Sequence, residues 1–199
     1  VRVLVACEFS GVVRNEFRKR GHEAWSCDLL DAEDGSFYHY KGDVRNVLEQ
    51  DWDLVIAHPP CTALTVSGNH RYAGSPEREE ALDFIRLFLD SDIPRVCVEN
   101  PVGVISTRIR KPDQIIQPYE FGDDASKKTC LWLKRLPPLE KDPSARIPGR
   151  LVPWNGKLVE RWSNQTDSGQ NNLPPSPDRW KLRSVTYGGI ARAMAEQWG

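Results

Sequence analysis

The sequence predicts an α/β protein: a doubly wound, mostly parallel, Rossmann-like sheet followed by a short irregular C-terminal segment. Three observations carry this. Near-continuous apolar runs at 1–6, Leu54–Ala57 and 95–98 read as strands buried on both faces, as in parallel sheets. Amphipathic stretches alternate with those runs. Polar residues of chemical use bunch just after each run, where an open α/β sheet binds its ligands.

Residues 1–6 form the first strand, and Glu8-Phe9-Ser10-Gly11 makes a turn into a helix over 12–20 that Gly21 closes. A second strand spans 23–27 and ends at Asp28. Gly42-Asp43-Val44 precedes a short segment leading to the strand Leu54–Ala57. Pro76–Leu89 is a helix with Ser75 at the N-cap and Pro76 at its first position, its apolar face made by Ala81, Phe84, Ile85, Phe88 and Leu89. The strand at 95–98 runs into Glu99-Asn100-Pro101, and another follows at 128–133. Residues 134–182 show little periodicity. Gly188–Trp198 is a closing helix with Ile190, Ala193, Met194 and Gln197 on one side.

The most informative stretch is His58-Pro59-Pro60-Cys61, directly after a strand. Each proline fixes its own φ and pushes the preceding residue to extended geometry, so Cys61 sits on a stiff mount. A cysteine there is a candidate nucleophile. Cys7, Cys27, Cys97 and Cys130 lie in apolar segments and read as small buried hydrophobes. His58 and Cys61 are three apart, but no second pair completes a zinc site, and no metal is expected. For His58 a satisfied structural role is favoured over positioning the loop or touching a phosphate.

At 199 residues the chain is one domain with a substantial core. Scattered, unpaired cysteines, no leader and no long apolar run predict a cytoplasmic protein without a membrane partner. The net charge is −1, but residues 134–199 carry 11 Lys and Arg against 6 Asp and Glu, with eight of the 15 prolines and four of the seven tryptophans. A basic, aromatic, Pro-rich segment after an acidic body fits either a polyanion-facing surface or a solvated irregular flap. The first turn lacks the glycine pattern of a pyrophosphate site, so a cofactor without a pyrophosphate fits better.

On these residues the chain resembles the DNA (cytosine-5) methyltransferases, especially small phage- or prophage-type members. Ala6-Cys7-Glu8-Phe9-Ser10-Gly11 stands where the family has its cofactor turn, Asp28 where it has the ribose-binding acid, and Gly42-Asp43-Val44 where it has an adenine-contacting element. Pro60-Cys61 with Ser67-Gly68 behind is similar to the catalytic loop, and Glu99-Asn100-Pro101 to the Glu-Asn-Val element. Phe121-Gly122 through Lys127-Lys128 resembles a segment that carries arginines in the family, and Thr186 to Ala191 resembles the element that completes the cofactor pocket. The resemblance implies the S-adenosylmethionine-dependent methyltransferase type of sheet, in a bacterial or phage-infected host cell. It divides the chain into a catalytic core at 1–133, a reduced recognition-like segment at 134–182, much shorter than the usual target-recognition domain, and a C-terminal helix at 183–199 that completes the core.

The resemblance further implies Cys61, Glu99, Pro60 and Lys128 as catalytic residues. It implies Glu8, Phe9, Ser10, Gly11, Asp28, Leu29, Asp43, Val44, Pro59 and Gly189 around S-adenosylmethionine. Ser67, Lys127, Trp154, Lys157, Arg161, Trp162, Arg179 and Lys181 are then the expected DNA contacts, the two tryptophans by stacking or wedging beside a flipped base. Cys61 would add to C6 of cytosine, Glu99 would donate to N3 if burial keeps it protonated, and Lys127 or Lys128 would contact the base O2 or a phosphate. Three readings stand: a DNA cytosine-5 methyltransferase, the same thiol chemistry on a free nucleotide, an RNA or with another one-carbon donor, and a non-catalytic DNA- or cofactor-binding relative. Cys61 and Glu99 argue against the last, since a binder needs neither.

Overall fold

The structure, a computed structural model, describes residues 1–199. Its core is a seven-stranded sheet made of β1 (Arg2–Ala6), β2 (Glu23–Asp28), β3 (His39–Lys41), β4 (Leu54–Ala57), β5 (Arg95–Pro101), β6 (Gln114–Ile116) and β7 (Thr129–Lys134). The order is β3-β2-β1-β4-β5-β7-β6. β3, β2, β1, β4 and β5 run parallel, while β7 runs antiparallel to both β5 and β6. This is the doubly wound, mostly parallel Rossmann-like sheet that the sequence predicts. The strand order reverses between β1 and β4, which opens a crevice at their carboxyl ends.

Period-two alternation splits the core between the two faces of the sheet. Val3 and Val5 of β1, with Leu54 and Ile56 of β4, pack toward α1 (Val12–Lys19) and the closing helix α7 (Gly188–Trp198), where Phe17, Met194 and Trp198 are buried. Leu4, Ala6, Val55 and Ala57 face the other way, onto Leu82, Ile85 and Phe88 of α4 (Pro76–Leu89). Between them lie the short helices α2 (Arg45–Leu48) and α3 (Asn69–Tyr72), and α5 (Ile105–Arg108) follows β5.

Several elements depart from the sequence reading. The buried stripe of α4 is Arg78, Leu82, Ile85 and Phe88, with Ala81 and Phe84 half-buried. In α7 Trp198 takes the place expected for Gln197, whose amide instead pairs with the Glu140 backbone at 2.7 and 3.0 Å. Residues 134–182 hold a hairpin, β8 (Arg150–Trp154) and β9 (Lys157–Arg161), and α6 (Arg179–Ser184) begins within them. Asn155 and Gly156, at φ 48° and 76°, make the left-handed turn that joins its strands. Cys27, Cys97 and Cys130 are buried as expected, but Cys7 is not a core residue. It lies one step past β1 at φ 59° and is half-exposed. No helix is long and apolar enough to cross a membrane.

Candidate active site

The site forms where β1, β2, β4 and β5 end. At the exit of β4 the His58 N–H donates to the Ala6 carbonyl at 2.9 Å, and the two prolines then lift the chain off the sheet. Asn100 at the end of β5 donates its side-chain amide to the Pro59 carbonyl at 2.9 Å. The Cys61 carbonyl accepts the N–H of Leu64 (2.9 Å) and of Thr65 (3.0 Å), turning the chain back. Buried Arg78 reaches up from α4 to the Ala63 carbonyl at 2.8 Å. Gly103 lies against the Leu64 carbonyl so closely that a Cβ would collide with it. The loop carrying Cys61 is thus clamped from β5, from α4 and by its own turn.

The two prolines exchange the places assigned to them. Pro59 is buried beneath the loop and held by Asn100, whereas exposed Pro60 lines a neighbouring cavity. Cys61 lies within electrostatic reach of Lys127, Arg183 and Glu99. Burial pushes the Cys61 thiol above its ordinary range, the charges of Lys127 and Arg183 pull it down, and Glu99 pushes it up. The net direction is up, so the free site holds a thiol.

Glu99 differs from expectation. Burial pushes its carboxyl up, but the Lys127 charge and a 2.7 Å hydrogen bond from His58 Nδ1 outweigh it and bring the pKa down to about 2. Glu99 is therefore a carboxylate at neutral pH, not the protonated acid the sequence reading requires. Lys128 is a second correction. β7 starts where antiparallel β5 ends, with Pro101 opposite Thr129, so the residues just before β7 lie at the same edge as Glu99. Successive side chains there alternate faces. The charge of half-buried Lys127 acts on Glu99 and Cys61, while that of exposed Lys128 acts on Cys130. Lys127 Nζ also donates to the Arg183 carbonyl of α6 at 3.2 Å.

Across Pro60 lies a cavity of about 270 Å³ lined by Asp28, Leu29, Asp43, Val44 and Cys7. Asp28 Oδ1 accepts the Leu30 N–H at 2.9 Å, which leaves Oδ2 without a protein partner. A free carboxylate oxygen beside apolar walls fits a nucleoside, its ribose on Asp28 and its base against Leu29 and Val44. Asp43 is turned to Arg45, accepting its N–H at 2.9 Å and its guanidinium at 2.8 Å. A smaller cavity of about 210 Å³ lies near the opposite ends of β1 and β2, around Arg2, Glu23 and Trp52.

Glu8 does not face this cavity. Its buried carboxylate accepts the N–H of Val13 (2.6 Å) and of Arg14 (3.3 Å), satisfying the start of α1. It stands where dinucleotide folds seat a phosphate, which closes that position to a pyrophosphate. Phe9 is buried, with Trp180 tilted against it at 6.5 Å and Lys181 over its ring at 5.4 Å. Ser10 Oγ accepts the Val12 N–H at 3.5 Å. Gly11, at φ 73°, leaves no room for a side chain beneath the Arg14 guanidinium. Gly189 is another correction. A Cβ there would strike the Phe121 carbonyl, and its N–H donates to Asp123 at 2.9 Å, so this glycine serves the docking of α7.

The expected DNA contacts divide. Ser67, Trp154 and Lys157 are exposed. Trp162 is buried, stacks on Tyr119 at 3.9 Å and 7°, and donates to the Ile147 carbonyl at 2.9 Å, so it cannot wedge beside a base. Arg161 is spent on the carbonyls of Asp167 and Glu160, each at 3.0 Å. Arg179 is half-buried, and Lys181 lies along Phe9. Sequence reasoning missed Arg78 and Arg183, and for His58 it favoured a satisfied structural role. Only His58 carried a signal, its place beside Pro-Pro-Cys. No group of three His, Cys, Asp or Glu side chains is placed to hold a metal ion.

No protein-family model matches the chain, and no curated protein matches its sequence. Among solved structures it is similar to the S. pombe Dnmt2 methyltransferase, at 16% identity and a TM-score of 0.44 over 67% of this chain and 48% of that one. The chain thus spans about half the length of that structure, and a superposition this loose carries no function by itself.

Proposed function

We propose that the chain is a DNA cytosine-5 methyltransferase that uses S-adenosylmethionine. The observation that carries the reading is Cys61, mounted on a clamped loop within electrostatic reach of Glu99 and Lys127, next to Pro60, which lines a nucleoside-sized cavity. S-adenosylmethionine would supply an electrophilic methyl group, with Asp28 on its ribose and Leu29 and Val44 against its adenine. Cytosine C5 is a poor nucleophile until a thiolate adds to C6 and loads electron density onto C5. Cys61 supplies that thiolate, Lys127 stabilises it and Glu99 holds the N3–N4 edge of the base. In duplex DNA the base must first leave the stack. The exposed Trp154 and Lys157 at the end of the hairpin and Ser67 on the Cys61 loop are the remaining candidates for the DNA side.

A free nucleotide or an RNA is the second reading. The small size of the 134–182 segment favours it: one hairpin and the start of a short helix offer little surface for reading a duplex. Incubation with labelled S-adenosylmethionine and, in parallel, mixed-sequence duplex DNA, RNA and dCMP, followed by nucleoside analysis, tests both. 5-Methylcytosine in the DNA arm supports the first, label only in RNA or dCMP supports the second, and no label at C5 in any arm rejects both.

A further inference from the structure

His58 is where β4 leaves the sheet, and its side chain goes to Glu99, not to solvent. Nδ1 lies 2.7 Å from Glu99 Oε2, and both side chains are only 9% exposed. With Glu99 a carboxylate, Nδ1 carries the hydrogen and donates it. Nε2 is buried without a partner. Glu99 Oε1 has no hydrogen bond within the protein. The charged groups around the pair are Glu8, on which the His58 charge acts, and Lys127, whose charge acts on Glu99.

This arrangement leaves a chemical gap. Addition of a thiolate to C6 puts an electron pair on N3, which must be protonated for the adduct to persist, yet an ionised Glu99 has no proton to give. We propose that His58 is a positioning residue that stores this proton and delivers it through Glu99, an inference that rests on the cytosine reading above. Cys61 first gives its thiol proton to water, and as its sulfur then bonds to C6 the C5–C6 π pair shifts to C4–C5 and the C4–N3 π pair moves onto N3. Glu99 Oε2 takes the proton of His58 Nδ1, leaving a neutral imidazole with its hydrogen on Nε2, and the carboxyl group then turns about its Cγ–Cδ bond and gives that proton to N3. When C5, now methylated, gives its proton to water, the C5–C6 double bond re-forms and the thiolate leaves. The N3 proton then returns through Glu99 to His58. Because Glu99 carries the proton across, the base and the imidazole need not meet.

The competing account is a plain clamp between the ends of β4 and β5. His58→Asn separates the two, since its amide nitrogen stands near the place of Nδ1, keeps the hydrogen bond and cannot give up a proton. We expect H58N to melt close to the wild type and keep its KM for DNA, with kcat lower by about 10²-fold or more, the usual range for a lost acid–base group. The ratio of its activity to that of the wild type should rise as pH falls, because both proteins need the Cys61 thiolate but in the variant Glu99 must bind its own proton before each turnover. A kcat and pH profile for H58N that match the wild type reduce His58 to a clamp and overturn the inference. Nitrogen-15 NMR of the wild type is the second measurement and does not depend on the variant folding. Hydrogens on both ring nitrogens of His58 near pH 6, one lost in Glu99→Gln, are expected, and a ring with a single hydrogen there overturns the inference even if methyl transfer is found. No C5 methylation by the wild type overturns the cytosine reading itself, whatever the NMR shows of the pair.

Discussion

At the scale of single residues the site is decided by where charge is buried. Glu8 and Glu99 are both buried carboxyls, 4% and 8% exposed, yet they shift in opposite directions. Burial pushes Glu8 up, against the His58 charge and two backbone N–H groups that pull it down. Burial also pushes Glu99 up, but Lys127 and the hydrogen bond from His58 bring it down to about 2. The sign for stability follows. A carboxylate whose folded pKa is depressed adds stability that is full above the unfolded value of 4.5 and is lost as pH falls toward about 2. Urea melts of wild type and Glu99→Gln between pH 2 and 7 should therefore differ by a gap that closes as pH falls through that window. A gap that stays constant with pH would mean that the Glu99 charge contributes nothing to folding.

At the scale of elements, the parts that repeat a period or carry a breaker were legible and the parts set by long-range contact were not. β1, β4 and α4 announce themselves through apolar runs, Ser75 and Pro76, and the structure bounds β4 and α4 as the sequence does. The hairpin went unread: Asn155-Gly156 is the strongest short signal for a two-residue turn, but the surrounding prolines obscured it. β3 and β6 are three residues each and exist only because a neighbouring strand pairs with them, so no local pattern marks them. The same holds in the site. Cys61 and Glu99 are readable from strand ends, but the His58–Glu99 bond joins residues 41 apart and appears only once β4 lies beside β5. Which of two adjacent lysines faces the thiol depends on the register of antiparallel β7. Trp162 tests the hairpin's attachment. Its ring lies flat on Tyr119, so Trp162→Ala should cost about 3–5 kcal/mol in denaturant unfolding. A loss below about 1 kcal/mol would show the stack to be dispensable and reopen Trp162 as a surface for ligands.

At the scale of the whole molecule, the reversal of strand order between β1 and β4 puts two different sites on one edge of the sheet. The cavity by Asp28 belongs to β1 and β2, and the thiol belongs to β4 and β5, with Pro60 between them. If Asp28 holds a ribose, S-adenosylhomocysteine should raise the melting temperature by mass action, and Asp28→Ala should remove most of that rise without lowering the ligand-free melting point. No rise at ligand concentrations near millimolar would remove the cofactor from this cavity. The central claim joins the two sites through a covalent bond from Cys61 to cytosine C6, and one measurement meets it directly. DNA containing 5-fluorocytosine, incubated with the protein and S-adenosylmethionine, should give a denaturation-resistant complex, because fluorine cannot leave C5 as a proton does. Peptide mass analysis should place the bond on Cys61, and Cys61→Ser should form none. Methyl transfer by Cys61→Ser at a rate near that of the wild type, with no trapped complex in either protein, would contradict the account and point to methylation of an exocyclic amine.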